Sequence, residues 1–127
     1  MENKQRIRCH TDLDVYKLAY SAACKVYGYS KQFPKEEQYS LTDQIRRSSR
    51  SVCANIAEAF RKRKYPKSLI SKLSDAEGEA AETQVWIQFA VSCNYLKRED
   101  AEKLHSEYDN IIGKIVNMQL KADSWGF

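Results

Sequence analysis

Basic side chains at both ends of the segment "RRSSRSVCANIAEAFRKR" have the chemistry to bind phosphate groups. Arginine and lysine neutralise phosphates, and a guanidinium group can donate two parallel hydrogen bonds to one of them. The chain is mildly basic, with 21 Lys and Arg against 17 Asp and Glu. We predict a nucleic-acid-binding surface and leave open whether it binds RNA or DNA. Its residues are Arg46, Arg47, Arg50, Arg61, Lys62, Arg63, Lys64 and Lys67.

The middle of the same segment is apolar and has the spacing of a helix. The predicted helix begins before this segment, and its apolar, inward face comprises Leu41, Ile45, Ser49, Val52, Ile56 and Phe60. Intervals of three and four residues predict one buried face of an α-helix. Ser40, followed by Asp43, has the spacing of a capping box and predicts that this helix starts at or slightly before Ser40. The basic side chains therefore lie on a helix whose other face is buried.

Three further segments have helical periodicity. The first has its apolar face at Val15, Tyr16, Ala19, Ala22, Ala23 and Val26. Pro66 predicts the start of a long helix that runs to about Leu96, and a last helix carries apolar residues from Ala101 to Met118. We predict an all-α, antiparallel up-down-up-down four-helix bundle over residues 12–122. Residues 1–11 are predicted to be a flexible N-terminal tail and residues 123–127 a C-terminal tail.

A second surface of the bundle is predicted to bind other copies of the chain. Its residues are Gln44, Arg47, Ser51, Asn55, Glu58, Asp75, Glu79, Glu82, Trp86 and Phe89. Small and amide side chains on the flank of the second helix, including Ser48, would let another helix approach closely. An arginine stripe (Arg47, Arg50 and Arg61) and an acidic stripe (Asp75, Glu79 and Glu82) both point away from the core. We therefore expect the two stripes to pair only between subunits, in a cyclic homo-oligomer. Three alternatives are that the stripes are merely solvated, that the bundle is irregular and that the N-terminal tail covers Trp86.

Several classes of function are not supported by the sequence. It has no Gly-rich phosphate loop, no H-E-x-x-H motif and no cysteine or serine with a nearby histidine partner. We therefore predict a non-enzymatic protein with no cofactor and no metal. Cys24, Cys53 and Cys93 lie in helical patterns and are expected to be buried free thiols. Without a membrane-spanning stretch or an apolar signal peptide, we expect a cytoplasmic protein with no membrane partner.

The segment "FPKEEQYSLTDQIRRSSRSVCANIAEAFRKR" resembles the family of 23S ribosomal RNA intervening-sequence proteins. The matching residues are Phe33, Pro34, Glu37, Leu41, Gln44, Arg47, Asn55, Ile56, Ala57 and Glu58. Gly78 and Glu82 in "AEGEAAETQVWI" and the opening "DLDVYKLA" are also similar to the family pattern, so the resemblance spans about residues 12–120. Cys53, Ala59 and Glu79 depart from the pattern, which usually has Pro, Gly and Ser there.

This resemblance implies a four-helix bundle with a basic surface that assembles as a cyclic homo-oligomer, typically a pentamer. Members are encoded in insertions within bacterial large-subunit ribosomal RNA genes or elsewhere in genomes. A related branch is similar to the accessory variability protein of diversity-generating retroelements, which implies a reverse transcriptase as a further partner. We predict a protein that binds RNA or another nucleic acid. The alternative is an interaction scaffold or accessory subunit whose charged stripes serve self-assembly.

Overall fold

The computed structural model describes residues 6–125, which form four long α-helices and no strand. The helices are α1 (Asp14–Ser30), α2 (Leu41–Arg61), α3 (Pro66–Ser92) and α4 (Arg98–Leu120). Short 3-10 turns lie at His10–Asp12, Lys35–Glu37 and Ala122–Ser124. The predicted all-α class is confirmed. No helix within the described range is both long and apolar enough to cross a membrane.

The core lies between the apolar faces that the periodicity predicted. Helix α1 contacts α2 and α4, while α3 contacts α2 and α4, so the four helices form a bundle around one core. All six residues of the predicted apolar face of α2 are buried, with Val52 and Ile56 completely so. Full burial of a side chain such as Ile56 contributes roughly 1.5–3 kcal/mol. This apolar face therefore fixes which side of α2 can carry exposed basic residues.

Helices α2 and α3 approach each other through small side chains. Ala59, Ala76 and Ala80 are completely buried. The buried hydroxyls of Ser48 on α2 and Thr83 on α3 lie 2.8 Å apart. We expected the flank that contains Ser48 to receive a helix from another subunit. That part of the prediction is wrong for Ser48, since its helical neighbour is α3 of the same chain.

The start of α2 is held by Glu37 and Ser40. The Leu41 amide donates to the Ser40 hydroxyl at 2.7 Å and to Glu37 Oε1 at 3.2 Å. The Ser40 hydroxyl donates to the same carboxylate at 2.6 Å. The predicted start at Ser40 is confirmed, but Glu37 takes the role expected of Asp43. A residue before the helix can reach the first free amides because the Lys35–Glu37 turn folds back on them.

The Glu37 carboxylate also joins the loop that follows α3. Tyr95 donates its hydroxyl to Glu37 Oε2 at 3.0 Å. Hydrogen bonds from Ser40, from the Leu41 amide and from Tyr95 favour the charged carboxylate and lower the pKa of Glu37. The same bond to Glu37 raises the pKa of Tyr95 to about 12. One carboxylate therefore connects the start of α2 with the segment between α3 and α4.

Helix α3 begins where Pro66 predicted but ends earlier than the apolar pattern suggested. It stops at Ser92, whereas we expected it to reach about Leu96. Asn94 has φ 63°, in the left-handed region that ends a right-handed helix, and asparagine tolerates that region better than most residues. Leu96 is nonetheless buried. Leu96 continues the apolar periodicity of α3 in the sequence, but its side chain packs into the core from the loop that follows the helix.

Two further sequence expectations concern the cysteines and the chain ends. Cys53 is buried as predicted, but Cys24 and Cys93 are exposed. Helical periodicity placed the three cysteines within helices, but it did not determine which of them are buried in the core. Trp125, which we placed in the C-terminal tail, is partly buried against the core.

Candidate functional site

Arg47 on α2 pairs with two carboxylates of its own chain. Its Nη1 lies 3.2 Å from Glu79 Oε1, and its Nη2 donates to Glu82 Oε2. We expected the two charged stripes to meet only between subunits, and this is wrong for Arg47, Glu79 and Glu82. Ser48 follows Arg47 and contacts Thr83, which directly follows Glu82 in the sequence. Because small side chains bring α2 and α3 close together there, a long guanidinium side chain can reach across.

Other predicted interface residues also have partners within the chain. Glu58 accepts from Lys72 Nζ at 2.8 Å, and hydrogen bonding and charge from Lys72 lower the pKa of Glu58. Asn55 donates to the Ser51 carbonyl within α2 at 2.9 Å. Gln44 accepts from Arg47 Nε at 3.2 Å. These contacts stabilise α2 and its junction with α3, so none of them requires a second subunit.

The aromatic part of the predicted interface remains partly exposed. Trp86 donates its indole N–H to Glu82 Oε2 at 3.1 Å and packs beside Phe89, with ring centroids 5.9 Å apart. Phe89 is 53% exposed and the neighbouring Val85 43% exposed. Asp75 is exposed and forms no ion pair with a residue in the 6–125 range. Trp86, Phe89 and Val85 thus form an apolar patch on the outer side of α3.

The basic residues at the end of α2, in the turn that follows it and at the start of α3 differ from Arg47 in their surroundings. Arg61, Lys62 and Lys67 are exposed and have no hydrogen bond or ion pair from their side chains to any residue that the structure describes. Lys64 Nζ lies 5.5 Å from the Tyr65 ring centroid. Cations near a helix C-terminus also interact favourably with the helix dipole. This turn therefore presents a group of exposed cations, which we call the turn cluster: Arg61, Lys62, Lys64 and Lys67.

Arg63, in the middle of that turn, points elsewhere. Its guanidinium group packs over the Phe60 ring at 4.0 Å and donates to the Phe60 carbonyl at 3.0 Å. It also lines an open pocket of about 630 Å³ with Arg6, Arg8 and Trp125. Sequence reasoning missed Arg6 and Arg8 because it assigned them to a flexible tail. The available signal was the pair of arginines in "RIR", residues 6–8.

Arg46 and Arg50 lie on the side of α2 that faces α1. The guanidinium carbon of Arg46 is 4.6 Å from the Tyr27 ring centroid, and that of Arg50 is 5.5 Å from it. Lys31 Nζ lies 5.0 Å from the same ring. The eight residues predicted as one surface are therefore divided among the α2–α3 junction, the turn and the α1–α2 side. Tyr27 and Lys31 were missed, although their spacing of four residues places them on one helix face.

A groove of about 500 Å³ runs between α1 and α2 beside these cations. Tyrosines, alanines and cysteines line most of it: Tyr16, Tyr20, Ala23, Cys24, Tyr27, Arg50, Cys53, Ala54 and Ala57. Burial raises the pKa of Cys53 to about 11, so this thiol is protonated and weakly nucleophilic at neutral pH. Residues 6–125 contain no cluster of three side chains that could hold a metal ion. The described residues thus offer cationic and aromatic surfaces for binding.

Comparisons with known proteins agree with this fold. The sequence profile of the family described as "23S rRNA-intervening sequence protein" matches residues 11–117. A crystal structure of a protein of unknown function from the S23 ribosomal protein family of Bacteroides thetaiotaomicron is similar, with 26% sequence identity and a TM-score of 0.75. The similarity covers 83% of this chain and 94% of that chain. No curated protein matches at a significant level. Because the profile match covers most of the chain, the protein belongs to the 23S rRNA-intervening sequence protein family.

Proposed function

We propose that this chain is a non-enzymatic protein that binds RNA or another nucleic acid through the turn cluster. One observation carries the proposal. Arg47, Lys72 and Lys25 each pair with a carboxylate, whereas Arg61, Lys62 and Lys67 form no ion pair with a described residue. Exposed cations without carboxylate partners are free to neutralise phosphates. The family name, which refers to an intervening sequence of ribosomal RNA, supports RNA as the first target to test.

The proposal includes assembly. We infer an up-down-up-down bundle that forms a cyclic homo-oligomer, with five copies as the ring size that the family resemblance suggests, in the cytoplasm. A ring would repeat the turn cluster once in each subunit and so multiply its modest charge. The exposed patch of Trp86, Phe89 and Val85 supports such an interface, since exposed apolar patches usually mark contacts between proteins.

Titration of a fluorescent RNA hairpin at several salt concentrations tests the proposed function. Binding through phosphates releases counterions, so the affinity should fall steeply as salt rises. Lys62→Gln combined with Lys64→Gln should weaken binding and reduce the slope of log Kd against log salt by about 2, because each lost phosphate contact contributes about 1. Lys97→Gln combined with Lys103→Gln is the matched control, because it removes the same charge from exposed positions on and just before α4.

Two results would contradict nucleic-acid binding at the turn. One is the absence of binding to the hairpin at low salt. The other is an equal effect of the two double variants, which would show that total charge matters and position does not. A normal salt slope together with a selective loss in the Lys62/Lys64 variant supports the proposal.

A second candidate is an interaction scaffold or an accessory subunit, for which a reverse transcriptase is one partner suggested by the family resemblance. The aromatic patch on α3 favours this candidate because it is apolar and therefore better suited to protein than to phosphate. Intrachain pairing of Arg47 weakens one part of it, since that arginine already has carboxylate partners. The two functions are compatible if the patch joins subunits and the turn cluster binds nucleic acid.

A further inference from the structure

Three cations surround the Tyr27 ring at one end of the α1–α2 groove. Lys31, Arg46 and Arg50 each place a charged group 4.6–5.5 Å from the ring centroid. None of the three forms an ion pair with a carboxylate in the part of the chain that the structure describes. Three positive charges around one ring create a local positive potential, which a bound anion would neutralise. The arrangement therefore favours an anionic ligand.

Arg46 is already held in position for such a ligand. Its Nε donates to the Ser30 hydroxyl at 2.7 Å, and Ser30 donates to the Tyr27 carbonyl at 2.8 Å. Its two Nη groups donate to no residue in the 6–125 range. A guanidinium group with both Nη groups available matches the geometry of a phosphate oxygen pair. Since its direction is fixed before binding, little side-chain freedom is lost when a phosphate binds.

The remainder of the groove fits a flat apolar group. The rings of Tyr16 and Tyr20 lie 6.1 Å apart at an angle of 27°, and the opposite wall carries Ala54 and Ala57. No aspartate or glutamate lines the groove. Its volume of about 500 Å³ is far larger than a phosphate needs and lies in the usual range of pockets for organic ligands. A ligand with an aromatic group and a negative charge would fit both the tyrosine-lined part and the cationic end of the groove.

We propose that this groove binds one nucleotide of a single-stranded nucleic acid. The base would stack on the tyrosine rings, and its phosphate would contact Arg46 and Arg50. A single strand is required because both faces of a base are covered within a duplex, whereas an unpaired base can leave the strand and stack on an aromatic side chain. This inference rests on the proposed nucleic-acid binding. It adds a second site, distinct from the turn cluster, that discriminates single strands from duplexes.

Affinity measurements with a 12-nucleotide oligoadenylate test this site. Tyr20→Leu and Arg50→Gln should each raise Kd for the single strand about tenfold, as expected for loss of one stacked base or one phosphate contact. Binding of a 12-base-pair duplex of oligoadenylate with oligouridylate should change less than twofold in Tyr20→Leu. Tyr20 is 57% exposed, so its replacement leaves the core intact. Tyr39→Leu and Arg98→Gln are matched controls at exposed positions outside the groove.

Alkylation of the cysteines supplies an independent measurement. Cys24 is exposed and lines the groove, whereas Cys93 is exposed beside Phe89 on another face. Saturating oligoadenylate should slow the reaction of iodoacetamide with Cys24 at least fivefold and leave that of Cys93 unchanged. Mass spectrometry of the separated peptides measures the two rates in one sample.

The outcomes separate this inference from the proposed function. Salt-sensitive binding that is unaffected by Tyr20→Leu and Arg50→Gln, with no protection of Cys24, would overturn the groove site and leave the turn cluster standing. Absence of binding by the unmodified protein at low salt would overturn both. Protection of Cys24 that grows with protein concentration alone would identify a second copy of the chain as the occupant, which would also overturn the nucleotide assignment.

Discussion

Arg47 and Glu79 join α2 to α3 within one chain, with Arg47 Nη1 3.2 Å from Glu79 Oε1. The two charged stripes that suggested a contact between subunits thus meet within one chain at Arg47, Glu79 and Glu82. Glu82 shares the same guanidinium group and also accepts from Trp86. Arg47 therefore stabilises the single subunit. Any role of the two charged stripes in assembly has to be tested separately from this stabilisation.

Arg47→Ala should lower the free energy of unfolding by about 1 kcal/mol, since the pair is partly exposed and solvent screens it. Urea unfolding measures the change. Arg98→Ala is the control, because Arg98 is exposed and forms no ion pair with a described residue. In a double-mutant cycle with Glu79→Gln, the two effects should not add, because both substitutions remove the same contact. Strict additivity would contradict the intrachain pair.

Glu37→Gln should destabilise the protein at pH 7 and much less in acid. The folded state lowers the pKa of Glu37 below its ordinary value of 4.5, so the carboxylate contributes stability above that pH. That contribution disappears as the pH falls through the lowered pKa, because the carboxyl group becomes protonated in the folded protein as well. Urea unfolding of the protein and the variant at pH 7 and at an acid pH below that lowered pKa measures the difference.

The neighbouring Glu36 provides the control for that experiment. Glu36 is exposed, and no residue in the 6–125 range donates a hydrogen bond to its side chain. Glu36→Gln should therefore have little effect at either pH. A destabilisation by Glu37→Gln that stays constant across the pH range would show that the carboxylate charge is not what holds the start of α2.

Phe89→Ser should reduce the size of the proposed oligomer. Phe89 is 53% exposed in the single chain, and burial of its ring between subunits would stabilise their contact. Light scattering at micromolar concentrations should show a smaller mass for the variant than for the unmodified protein. Leu120→Ser is the matched control, because Leu120 is 81% exposed and lies at the end of α4 away from the patch. An unmodified protein that is a monomer, or a variant of unchanged mass, would contradict an interface at this patch.

Helix positions could be predicted from the sequence because they depend on local spacing. The apolar face of α2, the cap at Ser40 and the start of α3 at Pro66 all follow from residues within a few positions of one another. The end of α3 was less predictable. Leu96 continues the apolar periodicity, but its burial comes from a loop that follows the left-handed Asn94.

The candidate sites depend on pairs of helices, which periodicity along one helix does not describe. Whether Arg47 meets Glu79 depends on the distance between α2 and α3, and that distance depends on the buried Ser48 and Thr83. Likewise, Tyr27 and Arg50 come together only when α1 packs on α2. Most of the cations could therefore be identified from the sequence, but we predicted one surface for them, whereas the packing of the helices distributes them over three.

The Glu37 carboxylate couples the local unfolding of two connections between helices, the one before α2 and the one after α3. It holds the Ser40 hydroxyl and the Leu41 amide on one side and the Tyr95 hydroxyl on the other. Fraying at either connection between helices breaks hydrogen bonds to the same carboxylate group. The amide protons of both segments should therefore exchange with solvent as one cooperative unit, although more than fifty residues separate them along the chain.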